Sequence, residues 1–271
     1  MTLVLALLAG ALIGLSLGAL GGGGSILAVP VLVYVLGQSA SQATTGSLVV
    51  VGVTSLLGAV LAHRAGHVLL ARGVTFGAVA LGGAALGAHF SSRVPDPVLL
   101  ASFAALMLVV ATVMGVRTLR SGDTVPAQRA ALDDPIISFS PTFACQCPRA
   151  LKVLLTATAV GLLTGFLGVG GGFLVVPALL VALSLPIQYA AGTSLVVITM
   201  TSAMALVVRA GAGAAPDWWI VLTLTAASAA GAAVGVRVAE RADTRRLQSA
   251  FTLLVLGVAI YTAARAFPAL A

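Results

Sequence analysis

Long apolar stretches and short polar ones alternate along the whole chain. Thr2 to Leu20 is apolar throughout, close to the roughly 20 residues that a bilayer-spanning helix needs. Gly21 to Gly24 then interrupt it. Each glycine costs about 1 kcal/mol relative to alanine inside a helix, so the backbone is expected to open there. Ser25 to Gly37 follows as a helix of only about 20 Å, short of a hydrocarbon core about 30 Å thick. It ends at the polar run Gln38, Ser39, Ser41 and Gln42. Thr44 to Ala62, Gly73 to His89 and Val98 to Val116 are three fuller spans, with loops at His63 to Arg72 and Ser91 to Pro97. Beyond a hydrophilic stretch the plan returns, with Leu151 to Leu167, a glycine-rich run from Gly168 to Gly172, and Phe173 to Leu183. Ala191 to Val208, Trp218 to Val236 and Leu247 to Ala264 complete it.

The return is a duplication. Moved along by 147 residues, Gly14, Gly18, Gly21, Gly23, Gly24 and Pro30 meet Gly161, Gly165, Gly168, Gly170, Gly171 and Pro177. From Gly14 to Val50, 17 of 37 positions match without a gap, which marks one unit present twice. Each unit, 1–117 and 151–271, joins a glycine-broken helix pair to three spans. Between them lies a cytoplasmic linker, 118–150. The stretch around it sets Arg117, Arg120, Arg129, Arg149 and Lys152 against Asp123, Asp133 and Asp134 and carries four prolines, a linker's composition.

Apolar residues make up 60% of the 271 and charged residues 8%, against about 25% charged in a soluble domain. The fold class is therefore an all-α polytopic membrane protein of about eight to ten segments. Met1 to Leu20 has no charged leading region and no small-residue cleavage site, so it reads as a retained span and not as a signal peptide. The net charge of +7 does not point to nucleic acid, because the basic residues sit in short loops where they set orientation. His63 to Arg72 holds two arginines, the linker five basic residues and Arg237 to Arg246 four arginines, while the loops at Arg93 and Arg209 hold one each. If each glycine-broken pair returns the chain to the side it came from, all three basic loops are cytoplasmic. Each unit then crosses an odd net number of times, and the two repeats are inverted. Trp218 and Trp219, after Pro216-Asp217, suit an interfacial anchor in membrane lipid.

An apolar helix, G-x-G-G-G, a short apolar run closed by proline and then A-x-G-T-S-L form one pattern, carried by Phe166 to Pro177 and Ala190 to Leu195. It resembles the sulfite exporter TauE/SafE family of membrane permeases, and the two units extend the likeness over nearly the whole chain. The first copy departs from the pattern: Ala43 to Leu48 reads ATTGSL, and Ser25 stands where the second copy has Gly172. The resemblance implies a multi-pass permease of the cytoplasmic membrane that exports a small sulfur-containing anion, sulfite or an organosulfonate, by alternating access. The alternatives are an anion channel and a permease for a non-sulfur organic anion.

The glycine breaks themselves suggest where an anion would bind. A broken helix leaves N–H groups without intrahelical partners, tolerated at membrane depth only inside protein or beside water. The half-helices that start near Gly24 and Gly171 would each present a positive end of about half a charge, and glycine allows close approach. The candidate site is Gly21, Gly22, Gly23 and Gly24 together with Gly168, Gly170, Gly171 and Gly172, converging near the midplane. The hydroxyls of Ser25, Thr45, Ser47, Thr193 and Ser194 add donors. No Asp, Glu, Lys or Arg lies deep in a predicted span, so backbone groups meet the charge. The same absence leaves no carboxylate for a proton relay, although hydroxyls and carbonyls suit Na⁺; H⁺ and Na⁺ both stay open as coupling ions.

The remaining polar residues read more simply. Gly14, Gly18, Gly161 and Gly165 fit small-xxx-small helix packing. His63, His67 and His89 fall near helix ends, as solvated interfacial side chains do. Arg64 and Arg209, each followed by Ala-Gly, read as topology and headgroup residues. Cys145-Gln-Cys147 is too close for a C-x2-C zinc knuckle and reads as two free thiols. No nucleophile, base or ligand set lies at membrane depth, so neither an enzyme nor a metal or cofactor is expected. Oligomeric state leaves no mark in the sequence.

Overall fold

The computed structural model describes residues 2–91, 93–120, 147–168, 171–183, 187–210 and 216–241, with 185, 249, 253 and 256–262. Among them every regular element is helical. In chain order these are α1 (Thr2–Leu20), a 3₁₀ turn (Gly21–Gly24), α2 (Ser25–Pro30) with a π turn (Val31–Val35), α3 (Ala40–Arg64), α4 (Leu70–Ser91) and α5 (Asp96–Arg120). The second half holds α6 (Cys147–Leu167), α7 (Gly172–Ala182), α8 (Ile187–Ala210) and α9 (Trp218–Arg241). Among the described residues, five helices are long and apolar enough to cross a membrane: Leu3–Leu20, Ala40–Arg64, Leu70–Ser91, Tyr189–Ala210 and Trp218–Val238.

Several helices run two to four residues past the expected ends, into their polar flanks. For α3 the reason is a capping box. Ser39 Oγ accepts from the Gln42 N–H and Gln42 Oε1 accepts from the Ser39 N–H, both at 3.3 Å, so the polar run starts the helix. Likewise α5 continues to Arg120 and α6 begins at Cys147, inside the stretch read as linker. Residues 121–146, with Cys145, lie outside the described residues, as does most of the expected Leu247 to Ala264 span.

The helices pack as in a protein dissolved in lipid. Leu3, Leu8 and Leu12 of α1 and Val53, Leu56 and Val60 of α3 face outward, while Gly, Ala, Ser and Thr fill much of the helix interfaces. Lipid is as apolar as leucine, so burying leucine gains little, and close backbone contact holds the helices instead. Gly14 and Gly18 of α1 lie on the Ser228 and Ala232 carbonyls of α9, and a Cβ on either would collide with them. Gly161 and Gly165 of α6 lie in the same way on the Ala80 and Ala84 carbonyls of α4. In both pairs the contacts advance together along the chain, so the helices run parallel. The first helix of each unit thus packs on the other unit's α4 or its equivalent, α9, and the units interlock. The Ser228 hydroxyl adds a hydrogen bond to the Gly10 carbonyl at 3.0 Å.

At the centre α3 crosses α8. A Cβ on Gly52 would sit 3.3 Å from Ser202 Cβ, and one on Gly58 would sit 3.1 Å from Leu195 Cδ1, so these two helices run antiparallel.

Candidate functional site: the junction of two glycine turns

The α1 helix stops at Leu20, and Gly21 takes the left-handed conformation, with φ +68°. The backbone does not open over Gly21–Gly24 as expected from four consecutive glycines; it tightens into one 3₁₀ turn. One left-handed residue suffices to reverse the chain, and the turn that follows keeps N–H groups bonded that lipid could not satisfy. The reversal shows at Gly24, whose Cβ would collide with the Ile13 carbonyl, although residues 13 and 24 of a continuous helix lie about 16 Å apart. The Ser25 hydroxyl closes the turn on the Gly22 carbonyl at 2.7 Å. Further on, Pro30 has no N–H to donate, and the next turn widens to a π bond from Leu36 N–H to Val31 O at 3.0 Å.

The second turn uses two left-handed glycines, Gly168 (φ +64°) and Gly171 (φ +62°). Gly168 N–H still donates to Thr164 O at 3.0 Å, and Leu174 and Val175 both donate to Gly171 O at 2.9 Å. Gly172 and Phe173, the first residues of α7, have no acceptor within the helix for their N–H groups. Gly170 lies outside the described residues.

The two turns touch. Gly22 and Gly172 meet backbone to backbone, with no room for a Cβ on either, and Ser25 Oγ sits 2.8 Å from the place a Gly172 Cβ would take. The equivalent left-handed glycines Gly21 and Gly168 also abut the second span of the other unit. Gly21 rests on Ala191 and beside Ser194 Oγ of α8, 2.9 Å from where its Cβ would be. Gly168 rests on Thr44 of α3, and Ser47 Oγ donates to the Gly168 carbonyl. Thr44 and Ala191, like Ser47 and Ser194, are 147 residues apart, so the junction repeats itself across the halves.

The Gly22–Gly172 contact therefore brings Gly21, Gly22, Ser25 and Gly172 together, with Ser194 beside Gly21, while Gly168 and Ser47 form the corresponding contact of the second turn. It does not gather every predicted residue. Thr193 Oγ1 accepts the Leu69 N–H at 3.1 Å in the α3–α4 loop, and Thr45 Oγ1 donates to Ser41 O at 3.1 Å. Gly23 belongs to the 3₁₀ turn, and Gly24 and Gly171 pack on their own preceding helices, Gly171 on Thr164. Deeper in the α3–α8 crossing, Thr54, Ser55 and Ser202 are buried with hydroxyls that have no partner among the described residues.

Arg209 corrects the sequence reading. It was expected beyond the end of a span, on lipid headgroups; instead α8 continues through it and leaves it only 6% exposed. Its Nη1 donates to Thr44 Oγ1 at 2.9 Å and its Nη2 to Ser91 Oγ at 2.6 Å and to the Gly165 and Phe166 carbonyls at 3.3 Å. The carbonyls belong to the last turn of α6, so the guanidinium caps that end. The statement that no cation lies within a span therefore fails at this position. Arg64, at the matching point of the first unit, is exposed. So are His63 and His89, while His67 is half-buried with its ring 6.1 Å from that of Tyr189.

Lipid-facing leucines around a core of glycine and hydroxyl groups define the class: a multi-pass integral membrane protein. Residues 6–262 match the family model described as Sulfite exporter TauE/SafE, and the chain belongs to that family. It is similar to a probable membrane transporter protein of Xylella fastidiosa strain 9a5c, 32% identical over 276 residues, covering 99% of this chain and 98% of the relative. A protein of the same description from Xylella fastidiosa strain Temecula1 is also 32% identical, over 272 residues and the same shares. The probable membrane transporter protein YdhB of Bacillus subtilis is 25% identical over 187 residues, covering 69% of this chain and 70% of the relative. No solved structure matches the chain. The protein is thus a membrane transporter of the cell membrane and not an enzyme.

Proposed function

We infer that the protein is a secondary carrier that exports a small sulfur oxyanion, sulfite or an organosulfonate, across the cytoplasmic membrane by alternating access. The observation that carries this reading is the contact of Gly22 with Gly172, which joins the two glycine turns. The anion is held there by backbone N–H groups, among them those that open α7, and by the hydroxyl of Ser25, with Ser47 on the Gly168 side and Ser194 on the Gly21 side. Two inverted repeats supply the motion. Their equivalent central helices α3 and α8 run antiparallel, and Gly21 and Gly168 each lean on the other unit, so a rocking of one unit on the other changes both turns together. In the present state the turns are in van der Waals contact; parting them makes the room that a hydrated anion needs once it sheds water. The family's description supports the sulfur substrate.

Flux in proteoliposomes tests the reading, across sulfite, thiosulfate, sulfoacetate and simple carboxylates, with imposed pH and sodium gradients. Transport of the sulfur anions ahead of the carboxylates is expected, and the gradient that drives uphill movement identifies the coupling ion. Preference for a carboxylate would overturn the substrate assignment.

A further inference from the structure

The junction carries no formal charge, yet one stands beside it. Arg209 is buried, and among the described residues every acceptor of its guanidinium is neutral: two hydroxyls and two carbonyls. No carboxylate pairs with it there, and its Nε–H is buried with no acceptor among the described residues. A buried charge without a counter-charge is costly, and a buried donor without a partner adds to that cost. The C-terminal end of α6 lowers the cost through its dipole but leaves the Nε–H unused. Thr44, which accepts from Nη1, is the residue against which Gly168 rests, so the guanidinium stands one side chain away from the second glycine turn. Arg64, with the same Arg-Ala-Gly sequence at the matching point, is exposed, so the fold does not need a buried arginine at both places. With 6% of its surface exposed, Arg209 is also out of reach of lipid headgroups.

We propose that Arg209 is the fixed positive charge of the anion site. In the state described it rests on the α6 end, Thr44 and Ser91. When the glycine turns part, its free Nε–H and the planar edge beside it take two oxygens of the incoming oxyanion. A guanidinium suits such a ligand because its donors match two oxygens of one tetrahedral or pyramidal centre. This rests on the carrier reading above and adds to it the residue that selects for negative charge.

The test uses full-length protein in lipid nanodiscs, with sulfite and methanesulfonate as probes. Arg209→Gln is expected to weaken binding of both by roughly tenfold to hundredfold, the range for one lost charge-assisted pair, and Arg209→Lys, which keeps the charge but not the fork, by less. A second readout does not depend on a variant folding. In the parent, labelled at arginine with ¹⁵N, the Arg209 Nε–H resonance should shift on addition of sulfite; a purely structural cap would leave it in place. Parent-like binding by Arg209→Gln, or an unmoved resonance at saturating sulfite, overturns the assignment of Arg209 while the carrier reading stands. If the parent binds neither probe, the carrier reading itself fails, and this inference with it.

Discussion

Gly22→Ala adds a single methyl group at the point where the two halves meet. Gly22 is not one of the left-handed glycines, so alanine fits its backbone, and the substitution isolates packing from conformational strain. Restricting the unfolded chain would on its own favour alanine by about 0.5–1 kcal/mol. Against that, the new Cβ meets the backbone of Gly172, which cannot swing aside as a side chain tip can. Overpacking of this kind costs typically about 1–3 kcal/mol, and a backbone neighbour puts it at the upper end. The net loss is about 2 kcal/mol, or a fall of roughly 4–8 °C in melting temperature for a protein of this size. Gly82→Ala is the control: it lies in α4 with nothing within 4 Å of its would-be Cβ, so it should be neutral or stabilise by up to about 1 kcal/mol. Fluorescence of Trp218 and Trp219 reports unfolding in detergent at a fixed scan rate, since such proteins often unfold irreversibly. If Gly22→Ala melts and transports like the parent, the two turns are not in tight contact and the junction is misdescribed.

Thr193→Val removes the acceptor of a half-buried Leu69 N–H, so it should cost about 1 kcal/mol of stability yet leave substrate affinity unchanged; reduced affinity in stable protein would return Thr193 to the site. If the two units are inverted, single cysteines at Ala65 and Ala212, 147 residues apart in equivalent loops, should react with an impermeant label from opposite faces in a background lacking Cys145 and Cys147; labelling from one face would contradict the inversion. Replacing Cys145 and Cys147 by serine should leave flux within about twofold, because the pair lies in a proline-rich stretch of sequence away from both glycine turns, and complete loss would assign the pair a function.

The duplication, the helical class and the place of both turns were legible because glycine and proline have unmistakable effects on a lipid-embedded helix. The 147-residue offset pairs Gly21 with Gly168, and the two share nearly one φ. What the offset does not tell is which unit a residue touches. Gly21 leans on Ala191 and not on Thr44, and α1 packs on α9, because the units interlock; no local pattern encodes that choice. Arg209 escaped for a related reason. Helix ends are uncertain by a residue or two, and a span drawn to Val208 leaves the arginine outside by one position. Its near twin Arg64 shows that the same three residues can face solvent or be buried, depending on neighbours far along the chain. The start of α3 could have been found: Ser39 and Gln42, three apart before an apolar run, are a capping box that was read instead as the close of the preceding helix.

Counterflow tests the central claim most directly. Proteoliposomes loaded with unlabelled sulfite are diluted into a trace of radiolabelled sulfite, and internal label is followed with time. A carrier whose site faces one side at a time must exchange the two pools, so the label should rise transiently above its equilibrium level and then decline. Ser47→Ala with Ser194→Ala, at the two turns, should reduce that overshoot, and Gly82→Ala should leave it intact. Label that only approaches equilibrium in the parent, however fast, would describe a channel and contradict alternating access at the glycine junction.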